Sequence, residues 1–170
     1  MLPSYALSDS EEYRVYSTII NSWVDESKLL FILDRTSDSY SPHDLLQAYQ
    51  QQREPHLSKV TLLDFKRKNA QAREISQDLD LHFPYKLLNR DAVEEIFKEG
   101  CSGWCKFLER YPEAGGYISI SRVGFNQMGT QALVYIAYGC GGLCGSGGYM
   151  VLAKENGLWK IKGGLAVWDS

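Results

Sequence analysis

The C-terminal third of the chain changes from helical to alternating hydrophobic periodicity, and this change constrains the fold more than any other feature of the sequence. From Gly116 onward, apolar residues alternate with polar or small ones in several short segments, a period of two that is typical of β-strands. Asn156-Gly157 lies between two of these segments and is a pair that two-residue hairpin turns favour. We therefore expect consecutive antiparallel strands. The predicted strands are 117–126, 131–139, 149–154 and 158–162, with 165–168 as a last strand or an extension of the fourth.

A glycine- and cysteine-rich segment, Cys140–Gly148, separates the second and third of these strands, and we expect a loop there that interrupts the sheet. Glycines let main-chain N–H groups approach an anion, but the segment lacks the lysine of a P-loop and no helix is predicted after it. Gly145-Ser146-Gly147 does not complete the G-x-S-x-G motif of hydrolases, which also needs a strand-to-helix turn. A bulged connection between strands is the better interpretation.

Helical patterns dominate the first 115 residues. Ser8–Glu11 and Asp91–Glu94 both resemble capping boxes ahead of apolar residues at helical spacing, which predicts that a helix begins at each. Ser41-Pro42 predicts the start of another helix, and Thr61–Asp64 can cap one more. A short further helix is predicted around Trp104, Phe107 and Leu108.

Two extended segments lie among these helices. The apolar run Leu29–Leu33 predicts a buried strand, and residues 78–88 alternate around Pro84, which fits an edge strand or extended segment. Helices ahead of antiparallel strands predict an α+β fold. We expect a single domain, 1–170, in which helices from the mainly helical half, 1–115, pack on one face of a curved antiparallel meander of four to five strands. Residues 116–170 form this sheet, and the outline resembles cystatin or NTF2-like folds.

Charge and composition exclude several kinds of partner. The net charge is −3 and the sequence pI is about 5.6, so we expect no nucleic-acid partner, which would need a basic face. Lys66-Arg67-Lys68 is interpreted as a solvated helix face. No apolar run approaches the roughly 20 residues that cross a bilayer, so no membrane span is predicted. Asp34, Asp38 and Asp44 flank one polar loop, but turns and caps use the same residues, and we predict neither a metal site nor a cofactor.

The four cysteines form two CxxxC pairs, Cys101 with Cys105 and Cys140 with Cys144, and three kinds of site could explain them. An even number of cysteines favours disulfides in an exported chain, and the glycines between Cys140 and Cys144 permit tight closure. Two pairs brought together could bind zinc, although spacers of two residues are more usual. A cysteine nucleophile would need a nearby histidine, and no motif links a histidine to these cysteines.

The first residues of the chain bear on its localisation. Met1–Ala6 places small residues at positions −3 and −1 of a hypothetical cleavage after Ala6, as at the end of a signal peptide whose start is missing. This pattern favours a periplasmic or secreted protein, and a cytoplasmic location is the alternative.

Several segments resemble a family of uncharacterised bacterial proteins. The C-terminal pattern consists of Ser121–Asn126, Thr130–Tyr135, Cys140–Gly145, Gly148-Tyr149, Gly157-x-Trp159 and Trp168-x-Ser170. The upstream segments are Tyr13-x-x-Tyr16-Ser17, Asp34-x-Thr36, Asp64-Phe65-x-x-Lys68-Asn69 and Trp104-x-x-Phe107 with Tyr111-Pro112. The resemblance supplies no activity. It implies an exported protein with a disulfide between Cys140 and Cys144, and pairing of Cys101 with Cys105 is a weaker expectation.

The first functional hypothesis is an exported, non-catalytic binding or interaction module. In this hypothesis the glycine-rich segment, the neighbouring aromatic residues Tyr138 and Tyr149, and Arg122 contact an unidentified protein or small-molecule ligand. Aromatic and arginine side chains are enriched at such contact surfaces.

The alternative hypothesis is a small hydrolase or thiol enzyme. It would use Cys140, Cys144 or Ser146 as the nucleophile, with a histidine from the helical half as the base. The residues alone leave open whether the chain is an enzyme.

Overall fold

The computed structural model describes residues 4–23, 29–38, 56–98 and 103–170, together with four single positions between 43 and 50; in the first helix, side chains are described from residue 9. The described part contains four helices: α1 Ser4–Trp23, α2 Lys59–Lys68, α3 Arg90–Phe97 and α4 Gly103–Arg110. The helix predicted from Ser41-Pro42 begins outside the described residues. None of the described helices is long and apolar enough to cross a membrane.

Seven strands form one mixed sheet, which confirms the predicted α+β fold. Their spatial order is β2-β1-β3-β5-β6-β7, with β4 paired to β5. The five C-terminal strands are antiparallel to their neighbours in this group, as predicted, whereas β1 pairs in parallel with both β2 and β3. The strands are β1 Leu30–Leu33, β2 Tyr85–Leu88, β3 Tyr117–Ile120, β4 Gly124–Phe125, β5 Gln131–Gly141, β6 Cys144–Glu155 and β7 Leu158–Asp169.

Helices cover both faces of this sheet, so the prediction of helices on one face is wrong. On β5, Val134 and Ile136 pack in a core cluster with residues of α1. The alternate residues Leu133 and Tyr135 pack in a second cluster with Phe65 of α2. Neighbouring residues of a strand point to opposite faces, so α1 and α2 lie on opposite sides. The physical reason is the continuous apolar run of β5, which is typical of strands buried on both faces.

The parallel strand β1 is also buried on both faces. All four of its residues are buried, which confirms the predicted buried strand. Phe31 and Leu33 pack in a third core cluster with Val93 of α3 and Phe107 of α4. The other two residues of the strand, Leu30 and Ile32, belong to the cluster that contains α1. The helices after β2 thus extend the layer that contains α2.

Three helix starts differ from the predicted caps. α2 begins at Lys59 after the N-cap Ser58 and so already includes Thr61. α1 begins at Ser4 and already includes Ser8. α3 begins at Arg90 because Asn89 is its N-cap and accepts a hydrogen bond of 3.0 Å from the main-chain N–H of Ala92. The Asp34 carboxylate accepts a second bond, 2.9 Å long, from the N–H of Arg90. Since two first-turn N–H groups are satisfied there, the helix starts before the predicted box.

The predicted strand 117–126 is two short strands separated by Ser121–Val123. At the break, the N–H of Ser121 donates to the carbonyl of Tyr135 over 2.9 Å. The N–H of Tyr135 donates to Ser121 Oγ over 2.8 Å. The serine hydroxyl therefore replaces a main-chain acceptor where the chain leaves the ladder, which is why a period-two pattern did not reveal the interruption.

The β6–β7 hairpin is the one that Asn156-Gly157 predicts. Glu155 pairs with Leu158 across a two-residue turn, and the central residues have φ of 51° and 80°, as a type I′ turn requires. β7 then runs without a break to Asp169. Residues 165–168 are therefore an extension of the fourth predicted strand, which was one of the two stated alternatives.

The prediction that Cys140–Gly148 forms a loop is wrong. β5 continues to Gly141 and β6 begins at Cys144, so that only Gly142-Leu143 form a turn. Glycine weakens a strand but does not prevent one, and a glycine-rich segment between two strands is therefore compatible with either a loop or a continued hairpin.

Candidate functional site

The β5–β6 hairpin ends in a turn that a disulfide closes. Cys140 and Cys144 are bonded to each other, with their Cα atoms 5.1 Å apart. Gly139 pairs with Gly145 while Gly141 pairs with Cys144, so Cys140 is the extra residue of a β-bulge. We call Cys140–Cys144 the hairpin tip. Its most exposed side chain is Leu143, at 92%, and such exposure of a leucine on a covalently closed turn makes the tip a candidate contact surface.

The glycines beside the tip provide space for two indole rings. The ring of Trp104 lies 3.1 Å from the position that a Cβ on Gly139 would occupy, and the ring of Trp168 lies 3.0 Å from the corresponding position on Gly145. A Cβ on Gly147 would lie 2.7 Å from both Trp168 Cε2 and the Tyr135 hydroxyl. These glycines therefore make room for rings to pack against the hairpin.

Tyr149, a predicted contact residue, lies in the core. It is 2% exposed, and its ring centroid is 5.2 Å from that of Tyr135 and 6.0 Å from that of Phe65. A partner could reach Tyr149 only if the layer of α2 opened, so its prediction as a surface residue is wrong. The cause is the two-sided burial of the sheet, which places this face under α2.

Tyr138 and Ser146 face each other across the same hairpin. Tyr138 is half-buried, its hydroxyl donates to the carbonyl of Gly115 over 3.1 Å, and burial raises its pKa. Ser146 also neighbours Asp169 in the ladder. In the part of the chain that the structure describes, no hydrogen bond joins the Ser146 hydroxyl to a histidine or a carboxylate, which a serine nucleophile would need.

The other cysteines and the aspartates give no metal centre within the described residues. No group of three or more histidine, cysteine, aspartate or glutamate side chains could hold a metal ion there. Cys105 is exposed and free, so the weaker expectation that it pairs with Cys101, which lies outside the described residues, is wrong. Asp38 accepts a hydrogen bond of 2.8 Å from Arg90, which lowers the pKa of Asp38. Asp44 lies outside the described residues.

Arg122 lies at the carboxyl end of β3, among buried charges, and not at the hairpin tip. Its Nη2 donates to Glu12 Oε1 over 2.9 Å, and Glu12 is 3% exposed. Lys68 Nζ lies 3.5 Å from the same oxygen, and the Tyr16 hydroxyl donates to Glu12 Oε2 over 3.2 Å. Burial and the Glu12 charge raise the pKa of Tyr16 well above its usual range. Arg122 therefore lies apart from the hairpin that contains Tyr138 and Tyr149 and binds Glu12 through one guanidinium nitrogen, and its role as a contact residue stays a prediction.

Most described buried polar residues gather at this end of the parallel strands. In open α/β sheets, the crevice at the carboxyl ends of the parallel strands often binds ligands. In this protein, buried polar side chains at that end bind neighbouring main chain. Asn69 donates to the carbonyl of Arg122 over 3.0 Å and accepts from its N–H over 2.8 Å. Thr36 likewise accepts from the N–H of Arg73 over 2.8 Å. The residues are Glu12, Thr36, Ser37, Asn69 and Ser121. The arrangement is a structural junction between β1, β3 and α2.

A groove with a volume of about 1390 Å³ runs along α1 and is bounded by segment 73–82. Four α1 side chains at a spacing of four bind that segment. Asp9 accepts from Arg73 over 2.5 and 2.6 Å, and this hydrogen bond lowers the pKa of Asp9. Tyr13 accepts from the N–H of Ser76 over 2.7 Å, and Ser17 and Asn21 bind the main chain of Asp80 over 3.1 and 3.0 Å. The polar side chains of the groove thus fasten segment 73–82 to the helix.

Sequence reasoning identified the cysteines of the tip but missed Leu143, Trp168 and Glu12. The signal for Leu143 was present, because it is the apolar residue between two cysteines that a two-residue turn can join. Glu12 had no signal, since a carboxylate on an amphipathic helix usually faces solvent. Comparisons with protein-family models, with curated proteins and with solved structures found no match to this chain.

Proposed function

We propose that this chain is a non-catalytic binding module whose contact surface is the hairpin tip. The single observation that carries the proposal is the 92% exposure of Leu143 on a turn closed by the bond between Cys140 and Cys144. Trp168, 39% exposed, packs against Gly145 next to the tip. A preorganised apolar residue beside an aromatic one binds a partner with little loss of conformational entropy.

The same geometry argues against the thiol-enzyme alternative. The nucleophile of a thiol enzyme is a thiolate, and both sulfur atoms of the tip are engaged in one disulfide. Neither of the two can then coordinate zinc or attack a substrate. A binding role needs no free thiol.

We further propose that the protein works in an oxidising compartment outside the cytoplasm. Disulfides persist in secreted and periplasmic proteins, and the cytosol keeps most thiols reduced. The exposed position of Cys144 leaves the bond open to reductants, so the tip would keep its shape only where reductants are scarce.

The experiment is a selection of a random-peptide phage library on the immobilised, oxidised protein, followed by affinity measurements on three proteins. These are the wild type, Leu143→Ser and Met128→Ser. Met128 is the matched control, because it is 83% exposed and also lies in a turn before a strand. We expect the selected peptides to lose about tenfold or more in affinity for Leu143→Ser and to bind Met128→Ser as they bind the wild type.

Two results would overturn the proposed contact surface. One is equal binding to the wild type and to Leu143→Ser. The other is an equal loss in both variants, which would show that the peptides respond to general surface hydrophobicity. Circular dichroism of the three proteins confirms that neither serine changes the fold.

A further inference from the structure

β7 forms a long edge of the sheet that is open in the part of the chain that the structure describes. Its twelve residues pair only with β6 in the described part of the chain, whereas the strand at the opposite edge, β2, has four residues. An edge strand presents unpaired main-chain N–H and C=O groups, and natural proteins usually shorten, charge or cover such edges. An exposed edge three times as long as the opposite one therefore calls for an explanation.

The two halves of this edge differ in protection. Lys160 and Lys162 lie in the first half, and both form ion pairs with Glu155. Lysines of this kind discourage pairing with another strand. The second half, Gly163–Trp168, contains six uncharged residues without proline. Bulges at Lys162 and Val167 flank a regular run of four residues, 163–166, so the unprotected half keeps a regular edge at its centre.

We propose that a second copy of this chain covers the edge, with β7 of each molecule pairing antiparallel to β7 of the other about a two-fold axis. A two-fold contact uses the same patch twice and closes, so it removes the edge without starting a fibre. The inference does not depend on the hairpin tip as a binding surface.

Charge decides the direction of the pairing. An antiparallel pairing centred on residues 163–166 brings Lys160 and Lys162 of one molecule alongside residues 166–170 of the other, which include Asp169. A parallel pairing would place lysines beside lysines. Opposite charges across neighbouring strands stabilise a sheet and like charges destabilise it, so the antiparallel dimer is the favoured occupant of the edge.

Hairpin geometry shows which N–H groups face the open edge. Glu155 and Leu158 flank the two-residue turn and exchange hydrogen bonds, after which bonded and unbonded pairs alternate. The N–H groups of Trp159 and Ile161 therefore point away from β6. Proline at position 161 removes an outward donor without breaking a bond to β6, which an edge strand tolerates.

The test is the molecular mass in solution, measured by sedimentation equilibrium over a dilution series. The wild type should reach twice the 19.3 kDa of the chain. Ala166→Lys places a new lysine near Lys162 of the other molecule and should abolish the dimer, while Ala166→Ser, the matched control at the same exposed position, should keep it. Ile161→Pro should also give monomers, and Ile161→Ala should not.

Three results would overturn the inference: a wild type that is monomeric at every concentration, a dimer that persists in Ala166→Lys, or an assembly larger than a dimer. If Ile161→Pro fails to fold, the exposed Ala166 variants still decide. Leu143→Ser should dimerise like the wild type, so failure of the binding proposal and failure of this one are distinguishable.

Discussion

The indole Nε1 of Trp168 donates a hydrogen bond of 2.8 Å to the hydroxyl of Tyr135. The bond joins the last strand to the middle of β5 across β6, and the ring reaches Tyr135 only because Gly147 lies between them without a side chain. This contact explains why a glycine stands at position 147, and it leads to a direct test of that explanation.

A single methyl group at Gly147 should destabilise the protein. Gly147→Ala would bring a Cβ against Trp168 and the Tyr135 hydroxyl, closer than real Cβ contacts, and overpacking of this kind costs about 1–3 kcal/mol. Gly142→Ala is the control, since no atom lies within 4 Å of its Cβ position, and it should change stability by less than about 0.5 kcal/mol. Urea unfolding of both variants measures the difference. Equal stabilities would show that Gly147 is not needed for the packing of Trp168 against Tyr135.

Removal of the buried Glu12 charge should be among the most destabilising changes at a polar residue. Glu12 is 3% exposed, and Glu12→Gln leaves Arg122 without its charged partner. Breaking a buried ion pair from one side costs about 3 kcal/mol. Glu95→Gln, in an exposed pair with Lys98, should cost less than about 1 kcal/mol. Thermal or denaturant unfolding of the two variants measures the loss of stability in each. A similar loss in both would mean that the buried charge network adds nothing to stability.

Acid should destabilise the protein through Asp9 and Asp64. The hydrogen bond from Arg73 lowers the pKa of Asp9. Burial raises the pKa of Asp64, but hydrogen bonds from the N–H of Phe125 and from Arg67 outweigh it, so that this pKa is lowered too. Since both folded-state values lie below the ordinary 3.8, their stabilisation is complete above that pH and is lost as the pH falls through the folded-state values.

The measurement is the free energy of unfolding as a function of pH, in the wild type and in Asp9→Asn. The variant should be less stable at neutral pH and should lose less stability on acidification, because it lacks one of the titrating groups. An identical slope for the two proteins in the acid range would show that the Asp9–Arg73 pair does not contribute.

Local signals in the sequence were sufficient to place most of the C-terminal strands and one hairpin, but not the break after Ile120 or the continuation of β5 and β6 to the hairpin tip. Asn156-Gly157 predicted a type I′ turn because few residue pairs adopt two positive φ angles. The helices on both faces were not predicted, because the run Ala132–Ile136 was interpreted through alternation alone, although it is apolar at every position. The glycine-rich segment was predicted as a loop, because the rings that pack on it come from α4 and β7, far away in the sequence.

The candidate site was predictable only in its covalent part. The spacing of Cys140 and Cys144, with glycines between them, was compatible with a disulfide. The burial of Tyr149 and the engagement of Arg122 with Glu12 depend on which face α2 covers and on where α1 crosses β3. Such tertiary contacts leave no periodic signal in a single sequence, so both residues were assigned to the surface.

Reduction of the tip should weaken binding without unfolding the protein. The double variant Cys140→Ser, Cys144→Ser keeps the two-residue turn but removes its covalent closure, so that binding must also order the tip, at a cost of about 1 kcal/mol. Affinity for peptides selected on the wild type should therefore fall, while the ladder between β5 and β6 holds the fold together. Unchanged affinity would mean that the bond does not preorganise the contact surface.

The state of Cys140 and Cys144 tests the account most directly. Alkylation of the folded protein, isolated without reductant, followed by peptide mass spectrometry, reports which thiols are free. We predict that Cys105, which is exposed and free, is labelled at once, and that Cys140 and Cys144 are labelled only after reduction. Labelling of Cys144 without reduction would contradict the closed tip and would restore a free thiol to the place where a thiol enzyme needs one.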